Sequence, residues 1–114
     1  MPFLQVHTNV KRESLPPNFI EELTAFFQKL IGKPMQYIAV HVNAGQYMTW
    51  SGTQDPCAIT YLCSIGKINR EANQVYTQEI QKFLQEKLGI PMDRYFIEFI
   101  RQRFFYENFI LDNI

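Results

Sequence analysis

The residue most suited to chemistry in this sequence is Pro2, which directly follows Met1. Methionine is generally removed before so small a residue, and its removal here would leave proline with a free secondary amine. An α-amino group starts from a pKa of roughly 7.7 to 8.0, which burial or a nearby cation lowers, so this amine could act as a base near pH 7. The alternative is that Pro2 only begins a strand.

Other common signals of catalysis or metal binding are missing from the sequence. It contains no G-x-S-x-G, Walker or G-x-G-x-x-G motif. His7 and His41 belong to different segments and neither pairs with a nearby cysteine, so we expect no metal site. In a strand, Cys57 and Cys63 would lie about 20 Å apart, too far for a disulfide, and we expect free thiols.

The composition predicts one globular domain, residues 1–114, with 46% hydrophobic residues and 11 basic against 11 acidic residues. A neutral chain is unsuited to general nucleic-acid binding or to an acidic membrane surface. Its apolar runs are shorter than the roughly 18 to 20 residues that span a bilayer. Since the first residues do not resemble a signal peptide, we expect synthesis in the cytosol, with no nucleic-acid or membrane partner.

A short internal repeat divides the chain into two halves. The sequence Gly-Lys-Pro-Met at residues 32–35 returns as Gly-Ile-Pro-Met at residues 89–92, an offset of 57 that is half of 114. The same offset places Phe26 on Phe83. We therefore predict two related units, about residues 2–57 and 58–114.

Two segments have the i, i+3, i+4, i+7 spacing of an amphipathic helix, at residues 19–31 and 72–88. Gly32 and Gly89, each followed two residues later by proline, are typical helix ends, and Asn69 can cap the start of the second helix. The pattern predicts two helices of about five turns.

Four segments rich in β-branched or aromatic residues predict strands at residues 3–8, 37–42, 58–65 and 95–100. Residues 46–50 are predicted to form a short extra strand. The order β-α-β occurs twice, and each such unit should have parallel strands. The expected fold is α+β, a two-layer sandwich with a four-stranded mixed sheet and both helices on one face.

Two helices on one face leave the other face of this sheet uncovered. The last predicted strand has bulky apolar residues on both sides, with Phe96 and Ile100 opposite Ile97 and Phe99. An uncovered apolar face would make a monomer prone to aggregate or to associate with other chains. The sequence therefore predicts self-association.

Several motifs occur in the same order as in one known family. They are Pro2, Thr8-Asn9-Val10, Gly32-Lys33-Pro34, Tyr37-Ile38-Ala39-Val40-His41-Val42, Asp55-Pro56-Cys57-Ala58, Ser64-Ile65-Gly66-Lys67-Ile68 and Asp93-Arg94. Together they resemble the macrophage migration inhibitory factor and D-dopachrome tautomerase family, of the tautomerase superfamily. The resemblance runs to about residue 100.

The resemblance implies a homotrimer, with three sheets around a central channel and active sites at subunit interfaces. It implies keto-enol tautomerisation of small keto acids, phenylpyruvate-like or dopachrome-like, without a cofactor. Pro2 matches the catalytic base and Lys33 the residue that lowers the proline pKa and binds a substrate carboxylate. Ser64 and Ile65 match the strand residues beside the base, Ile65 through its backbone.

Two site positions and the C-terminal segment depart from the family pattern, which leaves a second hypothesis open. Phe96 stands where a tyrosine from the neighbouring subunit is usual, Glu98 where asparagine is common, and Phe109 is the one aromatic kept in a changed C-terminal segment. The family also implies a cytokine role, with release without a signal peptide and binding to the invariant chain of class II MHC or to chemokine receptors. The alternative is a cytokine-like binding protein with weak or lost tautomerase activity.

Overall fold

The computed structural model describes residues 1–102, which form one four-stranded sheet and two α-helices. The predicted α+β fold is confirmed. The elements are β1 (Phe3–Thr8), α1 (Phe19–Ile31), β2 (Ala39–Asn43), β3 (Ala58–Ser64), α2 (Arg70–Leu88) and β4 (Tyr95–Arg101). Neither helix of the described part is long and apolar enough to cross a membrane.

The strands lie in the order β2-β1-β3-β4. Within each β-α-β unit the two strands are parallel, β1 with β2 and β3 with β4, as predicted. The two units join through the antiparallel pair of β1 and β3 at the centre of the sheet. This central pair brings the start of β1 next to the end of β3.

Both helices end at the predicted glycines. Gly32 has φ 68° and Gly89 has φ 69°, and each donates its backbone N–H to a carbonyl four residues earlier. Residues other than glycine adopt this left-handed conformation at a cost, which explains the residue type at both ends. At the start of α2, the Asn69 side chain accepts a 2.9 Å hydrogen bond from the backbone of Ala72, which confirms the predicted cap.

Three details of the prediction are wrong. The length of about five turns holds for α2, with 19 residues, but is too long for α1, which has 13 residues and occupies the predicted range 19–31, after the left-handed Asn18 at φ 61°. The second strand begins at Ala39, since the 3-10 turn Met35–Tyr37 occupies the preceding residues. Residues 46–50 form no strand and contribute only an isolated bridge, from Trp50 to Thr53.

The core lies between the helices and one face of the sheet. Alternate residues of β1, Leu4 and Val6, are fully buried there against residues of α1 and α2 such as Leu23, Phe27 and Ile80. This arrangement follows the period of two in a strand and the amphipathic spacing of the helices.

The sheet face away from the helices is open in the single chain. On β4, Phe96 is 48% exposed and Ile100 is 40% exposed, whereas Ile97 and Phe99 pack against the core. Glu98 lies between the two exposed residues and is itself exposed. The expected uncovered apolar face is therefore present.

Candidate functional site

Pro2 is buried at the end of the sheet, immediately before β1. Its carbonyl accepts a 3.1 Å hydrogen bond from the backbone N–H of Ala39, which fixes it beside the start of β2. On the other side, Phe3 pairs with Cys63 in β3. Continuing that antiparallel register by one residue places Pro2 opposite Ser64.

Lys33 reaches the same end of the sheet from the loop after α1. Its ammonium donates a hydrogen bond of 3.4 Å to the backbone oxygen of Ile65. Gln28 holds the loop from two sides: its side-chain amide donates to the Lys33 carbonyl at 2.9 Å, and its own carbonyl accepts from Gly32 at 3.0 Å. The helix end therefore fixes the backbone from which the lysine side chain extends.

Ser64 and Ile65 form the wall of the site on the β3 side. Ser64 is fully buried and Ile65 is 8% exposed. The Ser64 hydroxyl donates at 3.4 Å to the Ile65 carbonyl, the oxygen that Lys33 also approaches. Four of the predicted residues, Pro2, Lys33, Ser64 and Ile65, thus meet at one place.

The terminal amino group lies at the same end of the sheet and contacts a residue that the sequence did not single out. The nitrogen of Met1 donates to Gln102 Oε1 at 2.7 Å. Burial raises the pKa of the Cys63 thiol, and the positive terminal amine opposes this rise. Gln102 follows β4, far from Met1 in sequence, so only the sheet register could have indicated this contact.

Phe96 and Glu98 do not join this group within one chain. They pair with Ile59 and Tyr61 of β3. Ile59 and Tyr61 precede Ser64 by five and three residues. At 3.3 Å per residue they lie roughly 16 and 10 Å from it along β3. Phe96 and Glu98 also lie on the open face, so a single chain does not bring them to Pro2. The predicted Phe109 lies outside the described residues.

The assembled residues suit proton transfer on a small anion. A secondary amine at Pro2 would be the proton acceptor, and the Lys33 ammonium would attract a carboxylate. With Met1 attached, however, the Pro2 nitrogen belongs to an amide and has no basic electron pair. The chemistry therefore depends on the state of the first peptide bond.

Comparisons with known proteins identify the family to which the chain is similar. The sequence model of the macrophage migration inhibitory factor family matches residues 1–103. Macrophage migration inhibitory factor of Rattus norvegicus is 48% identical over 99 residues, which cover 87% of this chain and 86% of the rat protein. A homolog from Brugia malayi is 36% identical over 100 residues, 88% of this chain and 87% of the homolog. 

A solved structure gives the same result for the fold. The macrophage migration inhibitory factor of Trichinella spiralis superposes with a TM-score of 0.85 at 32% identity, covering 89% of each chain. Since the family model spans all of the described residues, the chain belongs to the macrophage migration inhibitory factor family.

Proposed function

We propose that this protein is a keto-enol tautomerase of the phenylpyruvate or dopachrome type, with the amine of Pro2 as its base once Met1 is removed. The observation that carries the proposal is the position of Pro2, buried beside Ser64 at the place that the Lys33 ammonium reaches. Family membership supports the same reaction class. The reaction needs no cofactor, since only a proton moves.

In this mechanism the neutral amine removes a proton from the carbon next to the substrate carbonyl. The electron pair of the broken C–H bond forms the carbon–carbon double bond, and the carbonyl electrons move to oxygen. The proton on Pro2 is then delivered to that oxygen, which gives the enol and restores the base. Burial of Pro2 and the positive charge of Lys33 both favour the neutral amine, while Lys33 binds the substrate carboxylate.

We also propose that the working unit is a homotrimer. The open sheet face, with Phe96 and Ile100 exposed, supplies the surface that self-association would cover. A neighbouring subunit could then bring its Phe96 and Glu98 to the Pro2 of the first, which one chain cannot do. Phe96 would contribute an aromatic wall without the hydroxyl of a tyrosine, and Phe109 a further aromatic contact.

Removal of Met1 is expected to switch the enzyme on. Protein whose intact mass shows loss of Met1 should convert phenylpyruvate between its keto and enol forms, followed by ultraviolet absorbance. A variant with one alanine inserted between Met1 and Pro2 keeps proline in an amide after processing and should show no turnover above buffer. Equal turnover by both proteins, at matched circular dichroism, would contradict Pro2 as the base.

A second candidate function is a cytokine-like binding protein whose pocket turns over substrate weakly. The observation that favours it is the exposed carboxylate of Glu98 on the open face. In an interface pocket, this charge would repel an anionic keto acid and favour protonated Pro2, opposing Lys33 on both counts. This function includes synthesis in the cytosol, release without a signal peptide, and binding to the invariant chain of class II MHC or to chemokine receptors.

Replacing Glu98 by glutamine should therefore improve the enzyme. We expect KM for phenylpyruvate to fall by about threefold, because a charge that repels the substrate is lost from a solvated site. Lys33→Gln should raise KM, and Glu86→Gln, on the exposed side of α2, should leave it unchanged. Steady-state kinetics at low salt measure all three. An unchanged KM for Glu98→Gln would place this carboxylate outside the pocket.

A further inference from the structure

Gln102 contacts the amino group of the chain. Its Oε1 accepts a hydrogen bond of 2.7 Å from the Met1 nitrogen, and its backbone N–H donates at 3.0 Å to the carbonyl of Ser64, the residue opposite Pro2. We propose that Gln102 is a positioning residue for the base: once Met1 is removed, its amide oxygen accepts a hydrogen bond from the Pro2 amine. The catalytic consequence rests on the proposed function, but the contact itself does not.

The geometry allows the Gln102 side chain to shift its hydrogen bond from the Met1 nitrogen to the Pro2 nitrogen. The nitrogens of Met1 and Pro2 are joined by three bonds with a total length of about 4.3 Å, so their separation in space is smaller. The glutamine side chain has three rotatable bonds, and its backbone is held to Ser64. The oxygen can therefore move to the new chain end while the backbone of Gln102 stays in place.

A hydrogen bond from the Pro2 amine to Gln102 would affect the protonation of the amine as well as its orientation. An amide oxygen binds an ammonium more strongly than a neutral amine, so it favours the protonated form and raises the pKa of Pro2. Burial and Lys33 act in the opposite direction. Gln102 would thus keep the pKa of the Pro2 amine close to the working pH, where the amine can both accept and return a proton.

Other charged or titratable groups face this end of the sheet and must be held constant in a test. From the described elements they include Tyr37 before β2, Cys63 in β3, Lys33 after α1, Lys67 after β3, Tyr76 in α2, whose hydroxyl donates to the Lys67 carbonyl, and Arg101 at the end of β4. Arg101 is already engaged, donating to the Ile68 carbonyl at 2.8 Å. In the proposed trimer, Glu98 of a neighbouring subunit would be a further charge. The Gln102 variants change none of these residues.

The test is a pH titration of the Pro2 nitrogen by NMR, in protein labelled with nitrogen-15 proline and shown by mass to have lost Met1. The nitrogens of the other prolines are amides and do not titrate. Gln102→Met keeps the length of the side chain but removes the acceptor, and should lower the pKa of Pro2 by about half a unit. Gln102→Glu should raise it. The ascending limb of kcat/KM against pH should shift by the same amounts.

Gln78→Met, on an exposed position of α2, is the matched control and should move neither titration. The proposal is overturned if Gln102→Met and Gln102→Glu leave the Pro2 pKa unchanged, or if the control shifts it equally. If the NMR titrations shift as expected while the unmodified protein fails to turn over phenylpyruvate, the Gln102 contact stands and the proposed tautomerase function falls.

Discussion

Replacing Pro2 by glycine is expected to lower kcat/KM for phenylpyruvate by about 10²- to 10⁴-fold, the range that a positioned general base contributes. Glycine keeps an amino terminus after Met1 is removed, so the variant changes the kind of amine and its orientation rather than deleting it. The pyrrolidine ring fixes rotation about the N–Cα bond and so the direction of the amine's electron pair, and the Pro2 carbonyl is held by the N–H of Ala39. Glycine lacks that ring, and its primary amine is free to turn away from the substrate.

The matched control for this variant is Pro17→Gly, an exposed position before α1 and outside the site. It removes a proline of the same chain without touching the terminal amine, and its kcat/KM should equal that of the unmodified protein. The loss in Pro2→Gly should appear mainly in kcat, because Lys33 still binds the carboxylate. Unchanged turnover by Pro2→Gly would remove the basis of the tautomerase proposal.

The largest expected effect on stability comes from Phe27→Ala. Phe27 is fully buried in the core between α1 and the sheet, and truncation of a buried phenylalanine costs about 3–5 kcal/mol from lost burial and the remaining cavity. Small proteins have only about 5–15 kcal/mol of unfolding free energy, so the urea midpoint should fall steeply.

Phe26 provides the comparison within the same helix. It is only half-buried and stacks on Phe83 of α2 at 4.6 Å between ring centroids. Phe26→Ala should lower the free energy of unfolding by clearly less than Phe27→Ala. Both are compared at one protein concentration, because self-association would add to the apparent stability. An equal loss for the two variants would mean that the two rings contribute equally to the core.

The parts of the fold that depend on local pattern were predictable from the sequence. The β-branched and aromatic residues of the segment 3–8 gave β1 its bounds, and the spacing of glycine and proline located both helix ends at Gly32 and Gly89. These features depend on backbone conformation and on burial of one face, which nearby residues largely determine.

Features that depend on distant partners were not predictable in this way. Residues 46–50 have strand-forming side chains, yet in the described chain they have no strand beside them, so their propensity produces no sheet. The same distinction between local and distant features applies to the candidate site. Pro2 was singled out in the sequence by its chemistry, whereas its position opposite Ser64 and the contact of Gln102 with the chain's amino group depend on the pairing of distant strands.

The two capping glycines show how similar halves acquire different uses. After Gly32 the next residue is Lys33, whose ammonium reaches the site, whereas after Gly89 the next residue is Ile90, which is 1% exposed and belongs to the core. The two glycines have nearly the same φ, but the turn in the first half is followed by the charged Lys33 and the turn in the second half by the buried, apolar Ile90. The stoichiometry follows: in the proposed enzyme each chain supplies one lysine at this turn to bind a substrate carboxylate, so an assembly of three would hold three substrates and not six.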